Sequence, residues 1–394
     1  VDIGWPWFIA RRYFGRPGFG CQRVLGSRLF IVGLQGCDFL LNHDLGLTGH
    51  ATRLDGEKMR RLITNPLILS ISVVAFALAM PHAFKSPYYI HLMTLALIWI
   101  VLAQGQNLTQ GFVGYVSIAQ AGFMGIGAYI STLLTMNYGV SVWVTLLIAP
   151  LLTGVMAIVA GYPSLRVKGH YFSIVTLAYN MVIFIVLMTF RALTGGEAGI
   201  PDVPRPSELT LFGHVFSFEG RSNLNYYALA LSAAVLATIV CALVLHSRAG
   251  RVMLAIRQNE DLAEAMGVIT SRYKLFAFVM SSILAGLAGT LYAHYIGFLN
   301  PEPFGVDQSL NIILAVILGG SGTLTGPIVG AVSVTFLPEI LRFADSFRLI
   351  TYGLILVVAT IFLPKGLVPL VASLWRWLRA RQSIPSDNKP TSKA

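Results

Sequence analysis

The chain has 394 residues, of which 55% are hydrophobic and only 11% are charged. Soluble domains carry charged residues at about a quarter of their positions, so this composition excludes an ordinary soluble protein. The net charge of +11 does not favour nucleic acid as a partner, because the basic residues are scattered at the ends of apolar segments. An integral membrane protein with basic cytoplasmic loops accounts for the excess.

Residues 1–58 differ from the rest of the chain, because they mix Gly, Arg and aromatic residues without a helical or strand period and contain no Met. Met59-Arg60-Arg61, followed by an apolar run, is typical of a cytoplasmic N-terminus. We therefore expect 1–58 to be an extension that is dispensable or absent from the native protein. The membrane domain is expected at 59–373, with a basic cytoplasmic tail at 374–394.

Apolar runs of about 17 to 25 residues recur along the chain, each long enough to cross a hydrocarbon core of about 30 Å. A backbone in lipid must satisfy its own hydrogen bonds, and no alternating strand pattern appears, so the spans are expected to be helical. The predicted fold class is an all-α integral membrane protein with about ten transmembrane helices, some interrupted by glycine. The predicted spans are 62–80, 88–104, 117–136, 140–161, 171–190, 225–246, 274–296, 307–319, 326–343 and 348–363.

The basic residues indicate how these spans are oriented. With the N-terminus inside, most Lys and Arg flank the cytoplasmic ends, as the positive-inside rule requires. An even number of spans then places both termini in the cytoplasm. The outer flanks hold only Lys85, Arg191, Arg205, Arg221, Arg342 and Arg348. The segment 191–224 becomes a long outer loop, typical of a loop that covers a gate or faces a partner.

Residues 248–274 form the one strongly charged island, between two apolar runs, within the predicted cytoplasmic loop 247–273. Asn259 can cap a short helix whose first turn carries Glu260 and Asp261, and Gly267 can supply the left-handed residue that ends it. Two interpretations stay open. The helix can rest on lipid headgroups, or it can be a docking helix that another protein pushes.

Two stretches are rich in glycine, one in each half of the chain. The first holds Gly111, Gly114, Gly122, Gly125 and Gly127, together with Ser117 and Gln120. Such glycines allow either close helix packing or a broken helix that lines a polar cavity. The second break lies at 319–327. A pair of breaks in corresponding positions indicates a transport pathway and leaves open an inverted internal repeat.

Several functional classes find no support in the residues. Proton-coupled carriers usually keep a buried carboxylate or histidine relay, and the predicted spans are nearly free of ionisable groups. The chain has no Gly-Lys dipeptide, which a phosphate-binding loop requires. Its three cysteines show no metal-ligand spacing, and its histidines do not pair with a nucleophile. No cofactor, metal or enzymatic activity is expected, although a sodium-coupled carrier or a channel stays possible.

Five blocks in order resemble the LivM-type permease subunit of ATP-binding-cassette importers for branched-chain amino acids, over a stretch from about Gln104 to Arg342. The blocks are residues 114–123 with 127–129, 165–172 with 176–178, 194–196 with 199–200, 255–260, and 319–323 with 326–327. In this superfamily a cytoplasmic loop with a Glu-Ala-Ala pattern, followed by three residues and glycine, docks on the ATPase. Here Asp261-Leu262-Ala263 precedes Gly267, so the second alanine and the glycine match while the first two positions differ.

The resemblance implies a division of labour in a bacterial cytoplasmic membrane. A periplasmic binding protein delivers the substrate, this chain and a second, LivH-like permease form the pathway in lipid, and two ATPase subunits drive it. It further implies coupling residues, Arg257, Glu260, Asp261, Glu264 and Gly267. An uncharged pathway suits a zwitterion, and Ser117, Gln120 and Thr194 are its candidate lining residues. Importers of urea, amides or other small amino acids are the nearest alternatives.

Overall fold

The computed structural model describes residues 86–341, except 166, 168, 212, 213 and 219–223, together with positions 353, 357, 366–368 and 370. Side chains at 209–211 and 214–216 are not described. The first predicted span, 62–80, lies outside the described residues, as do the predicted extension 1–58 and the predicted tail 374–394. The same holds for the last span, 348–363, apart from two positions.

The described residues are helical apart from one short antiparallel hairpin. The helices are α1 Pro87–Asn107, α2 Gln120–Tyr138, α3 Val142–Ser164, α4 His170–Thr189, α5 Arg191–Thr194, α6 Leu224–His246, α7 Arg248–Gln258, α8 Glu260–Ala265, α9 Thr270–Ile296, α10 Val306–Gly319 and α11 Gly326–Ile340. The hairpin pairs β1 Leu209–Leu211 with β2 His214–Phe216. Short 3₁₀ turns occupy Gly196–Ala198 and Glu302–Phe304.

Within the described part, five helices are long and apolar enough to cross a membrane. They are Pro87–Val113, Val142–Ser164, His170–Thr189, Leu224–His246 and Thr270–Ile296. The predicted spans 117–136, 307–319 and 326–343 coincide with α2 and with the shorter apolar helices α10 and α11. The protein is therefore a multi-pass, helical membrane protein.

The first described helix is longer than the sequence predicted. The predicted span ends at residue 104, whereas α1 continues to Asn107. A π-helical stretch, Leu108–Val113, then extends it to Gly114, which has φ +86°. The polar residues from Gln104 to Gln110 suggested that the span had ended, but all of them are buried. Gln104 and Asn107 are accommodated by hydrogen bonds to residues more than 200 positions later, which no local pattern reveals.

Helix α9 lies at the centre of the bundle, where small residues bring backbones together. A methyl group on Gly127 of α2 would overlap the backbone of Gly286 on α9. One on Gly289 would overlap the carbonyl of Met124, and one on Gly286 would lie 2.7 Å from the Thr153 hydroxyl of α3. Close packing is thus the purpose of Gly127, as small residues commonly serve between membrane helices.

The turns between helices alternate between two ends of the bundle. The island end comprises residues 108–119, 165, 167, 169, 247–269 and 320–325, which contact one another through bonds such as Gly169 N to Tyr115 OH at 3.3 Å. The hairpin end comprises 139–141, 190–211, 214–218 and 297–305, where Ile200 pairs with Leu299 as an isolated bridge. Consecutive turns lie at opposite ends, as an alternating membrane topology requires.

We expect Gly127→Ala to destabilise the bundle by about 1–3 kcal/mol, because the added methyl would force α2 away from α9. The matched control is Gly305→Ala, whose methyl would make only an ordinary contact at 3.5 Å. Thermal unfolding of both variants in detergent measures the effect. Equal melting temperatures for the two variants would show that the α2–α9 contact is not tight.

Candidate functional site

The charged island folds into α7 and α8, each started by a capping side chain. Ser247 Oγ accepts a hydrogen bond from Gly250 N at 3.2 Å, and Asn259 Oδ1 accepts one from Leu262 N at 3.0 Å. The chain leaves α8 through Gly267, with φ +85°. The short helix predicted from its cap, its acidic first turn and its glycine is therefore confirmed.

Glu260, in the first turn of α8, is held by three side chains, two from α9 and one from the segment before α2. Its carboxylate forms an ion pair with Lys274 of α9 and accepts hydrogen bonds from the Tyr115 hydroxyl and from Thr270 Oγ1, the latter at 3.2 Å. The Lys274 side chain is only 3% exposed and that of Glu260 13%. Removing either charge would leave the other buried without a partner, which is strongly destabilising.

The pKa of Glu260 reflects this environment. Burial raises the pKa, but hydrogen bonds from Lys274 and Tyr115, the charge of Lys274 and the bond from Thr270 together hold it below its usual range. A carboxyl with a lowered pKa in the folded state stabilises the fold above its unfolded pKa, and that contribution is lost as the pH falls through the folded value. The pair is therefore intact at neutral pH.

Tyr115 links three turns of the island end. Besides donating to Glu260, its hydroxyl accepts from Gly169 N at 3.3 Å, and Lys274 Nζ lies 4.6 Å from the centre of its ring. Its ring meets Phe172 of α4 edge-on at 5.4 Å. Burial, and then the bond to Glu260, raise the pKa of Tyr115, so the hydroxyl keeps its proton and stays a donor.

Arg257, near the end of α7, reaches into the contact between the two glycine-rich breaks. Its Nη1 donates to the carbonyl of Gly111, in the first break. A methyl on Gly322, in the second break, would overlap that guanidinium, and one on Gly114 would lie 3.0 Å from Arg257 Cγ. We call Gly111, Gly114 and Gly322 the glycine seam, because they meet around this one side chain.

Amide side chains of α1 fasten the seam from inside the bundle. Asn107 donates from Nδ2 to the carbonyl of Thr323 and accepts at Oδ1 from Gly322 N, both at 2.9 Å. Gln104 Nε2 donates to the carbonyl of Leu324, also at 2.9 Å. The two breaks predicted as separate pathway elements are thus one hydrogen-bonded unit.

Three large apolar side chains are exposed at α8 and in the turn after it. Leu262 in α8 is 60% exposed, Met266 at its C-terminal cap 79%, and Ile269, just past the left-handed Gly267, 52%. We call these three residues the knob. Ala263, the alanine that matches the superfamily pattern, is buried beneath it. An exposed apolar cluster inside a charged segment is typical of a protein-binding surface.

The other coupling candidates lie beside the knob. Asp261 and Glu264 are exposed, and Glu264 Oε1 accepts from Thr270 Oγ1 at 2.8 Å. Gly267 is also exposed, and a methyl there would meet nothing within 4 Å. The structure therefore brings all five predicted coupling residues to one end of the bundle, with Glu260 and Arg257 directed inward and the other three on the surface.

The structure separates the predicted pathway residues. Ser117 is buried, with its carbonyl bonded by Gln106 Nε2 at 3.0 Å. Gln120 is buried too, donating to the carbonyl of Ser281 at 3.1 Å and accepting from its hydroxyl at 2.9 Å. Both follow Gly114 within six residues of the chain. Thr194 lies at the hairpin end, where its hydroxyl donates to the carbonyls of Leu187 and Phe190.

Sequence reasoning missed Asn107, Tyr115, Thr270 and Lys274. Lys274 is the first residue of the predicted span 274–296, and a lysine at the end of a membrane span requires a polar or acidic partner. Tyr115 and Asn107 carried no local signal, because their partners are 145 and more than 200 residues away. These contacts depend on the tertiary fold.

Comparison with known proteins identifies relatives over most of the chain. A family model described as the branched-chain amino acid transport system permease component matches residues 88–362. The high-affinity branched-chain amino acid transport system permease protein LivM of Escherichia coli K12 is 33% identical over 319 residues, covering 76% of this chain and 74% of the relative. LivM of Salmonella typhimurium is 33% identical over 300 residues, covering 71% and 70%.

A more distant relative is the permease protein LivH of the same transport system in Escherichia coli K12. It is 24% identical over 251 residues, which cover 60% of this chain and 80% of LivH. No solved structure matches the chain significantly.

We expect Asn107→Leu to lower the free energy of unfolding by roughly 2 kcal/mol or more, because Gly322 N and the carbonyl of Thr323 would lose their buried partner. Thr94→Val is the control on the same helix, since the Thr94 hydroxyl bonds only the Ile90 carbonyl one turn earlier. Denaturant unfolding in detergent compares the two. A loss no larger than that of the control would contradict the role given to Asn107.

Proposed function

This chain belongs to the family of permease components of branched-chain amino acid transport systems, and we propose that it works as one membrane subunit of an importer driven by separate ATPase subunits. The substrate is a branched-chain amino acid or a closely related small amino acid. A second, LivH-like permease completes the membrane part, and a periplasmic binding protein supplies the substrate. The relatives named LivM and LivH support this assembly.

One observation carries the proposal. The knob, on α8 and the turn after it, is exposed, while Glu260 in the first turn of α8 is bonded to α9 and to the first glycine break through Lys274 and Tyr115. A push on the knob therefore acts directly on two membrane elements. A helix that only rested on lipid headgroups would need no buried ion pair behind it.

The proposed orientation places the island end in the cytoplasm. Arg248, Arg251 and Arg257 lie there, and Arg272 and Lys274 follow at the adjoining start of α9, in agreement with the positive-inside rule. Ten spans, which include 62–80 and 348–363, then bring both termini to the cytoplasm. Within this arrangement 191–224 is the outer loop, 59–373 is the permease domain, 374–394 is a cytoplasmic tail and 1–58 is an extension. The two glycine breaks suggest an inverted repeat.

The mechanism follows from the contacts of the island end. Closure of the ATPase subunits around ATP displaces α8, and the Glu260–Lys274 pair transmits that displacement to α9. Movement of α7 withdraws Arg257 from the carbonyl of Gly111, and the two halves of the glycine seam part once the bonds of Asn107 to Gly322 and Thr323 also break. The opening exposes Ser117 and Gln120. Thr194 borders the other end of the same path.

The full complex in proteoliposomes tests the function. The chain is purified together with its ATPase subunits and second permease, and uptake of L-leucine is measured with binding protein and ATP. ATP-dependent uptake, absent without ATP, supports the proposal. Uptake by the isolated chain without ATP would instead establish a self-sufficient carrier or channel.

Glu260→Gln is expected to reduce leucine uptake per ATP hydrolysed by about tenfold or more, because the amide leaves Lys274 buried without a counter-charge. Exchange of the two charges, Glu260→Lys with Lys274→Glu, is expected to recover part of the coupling. Glu302→Gln, at the exposed hairpin end, is the matched control. If the Glu260→Gln variant takes up as much leucine per ATP hydrolysed as the unmodified protein, the ion pair has no role in the mechanism.

The knob is tested by the double change Leu262→Ser and Met266→Ser. Both side chains are mostly exposed, so the melting temperature of the chain is expected to stay within about 2 °C of the unmodified protein. The ATPase subunits, in contrast, should no longer co-purify. Tyr138→Ser, which alters a side chain 78% exposed at the hairpin end, is the control. Retention of the ATPase by the double variant would place the docking surface elsewhere.

A further inference from the structure

A cleft between α10 and α11 holds polar side chains at membrane depth. Its polar and aromatic lining comes from Trp99 of α1, Gln308 and Asn311 of α10, and Thr335 of α11, and its volume is about 180 Å³. Apolar walls, including Ile312 and Val334, complete it. The cleft lies apart from the island end and contains none of the residues discussed so far.

The position of the cleft follows from the helix register. Gln308 and Asn311 are three residues apart, in the first and second turns of α10, so they project from the same face. That end of α10 follows the 3₁₀ turn Glu302–Phe304 at the hairpin end. Trp99 lies roughly 18 Å along α1 from Pro87, at 1.5 Å per residue. The cleft therefore runs from the hairpin end toward the middle of the bundle.

Burying the side-chain amides of Gln308 and Asn311 in this cleft is unfavourable unless a polar group forms hydrogen bonds with them. Both side chains are half-buried, and neither forms a hydrogen bond with any described residue. An amide left without a partner in an apolar medium is strongly unfavourable. The rest of α10 after Asn311 is almost entirely apolar, so these two residues depart from an otherwise lipid-compatible helix. Such polar groups in membrane helices generally face a partner, a cavity or a transported molecule.

We propose that this cleft is a binding subsite for the transported amino acid on its way in from the outer side. The amide N–H groups of Gln308 and Asn311 would donate to the carboxylate, and their carbonyl oxygens would accept from the ammonium group. Trp99, Ile312 and Val334 would contact the aliphatic side chain. The inference rests on the proposed function, since the ligand of the cleft is the substrate of that importer.

The chemistry of the lining fits a zwitterion in particular. Two neutral amides can bind both charged groups without adding a net charge, so the ligand is neither trapped nor repelled. Trp99 is held in place by Tyr292 of α9, whose ring centre lies 5.9 Å away, and so it offers a fixed apolar wall. A cationic or anionic ligand would find no counter-charge among the lining residues.

Cysteine accessibility tests the hydration and occupancy of the cleft. Asn311→Cys is made in a chain whose native cysteines are replaced by alanine, and the assembled complex is treated with a membrane-impermeant methanethiosulfonate reagent from the outer side. We expect labelling at Asn311→Cys that L-leucine, delivered by the binding protein, slows at least about threefold. Leu310→Cys, the exposed neighbour on another face, is the control and is expected to label slowly without protection. Equal labelling of both sites, or no protection by leucine, would overturn the proposal.

Transport by amide-free variants tests the function of the two side chains. Gln308→Met and Asn311→Leu keep the approximate size of each residue, and the double variant is expected to transport leucine at least about tenfold more slowly at unchanged ATPase assembly. Ser333→Ala, on α11 outside the cleft lining, should transport normally. Normal transport by the double variant in a complex that still needs ATP would refute the subsite and leave the importer function standing. A complex without ATP-dependent uptake in its unmodified form would refute the function itself.

Discussion

The buried pair of Glu260 and Lys274 is the interaction on which the island end depends. A charge in a medium of low polarity cannot be left alone, so the two residues have to move as one. Because Glu260 belongs to α8 and Lys274 to α9, the pair makes a surface helix and the central membrane helix a single mechanical element. Tyr115 extends that element to the first glycine break through its bond with Glu260.

Glycine serves two separate purposes in this bundle. Gly127 and Gly286 permit backbones to pack against each other within the membrane, and a side chain at Gly127 would push α2 and α9 apart. Gly114 and Gly322, with φ of +86° and +84°, instead provide turns that leave space for the guanidinium of Arg257. The first use makes the bundle rigid, whereas the second creates a contact held by side-chain hydrogen bonds, those of Arg257, Asn107 and Gln104.

The sequence was sufficient where the determining interactions were local. The cap at Asn259 and the left-handed Gly267 lie within nine residues, and the helix they predict is present. The α1 boundary was wrong because Gln104 and Asn107 bond to residues more than 200 positions later. For the same reason, the packing role of Gly127 and the seam role of Gly114 could not be told apart. The assignment of Ser117, Gln120 and Thr194 to the pathway stays a prediction, since their side chains bond within the chain.

The two ends of the bundle differ in charge, and this difference bears on where the energy for transport comes from. The island end concentrates its cations and its ion pair, whereas the cleft near the hairpin end offers neutral amides. A zwitterion that meets only neutral groups carries no net charge through the membrane, so its passage draws nothing from the membrane potential. A pathway of this kind supplies no driving force, and uphill import then requires work done on the protein from outside the path. The linked helices of the island end provide a place where such work can be applied.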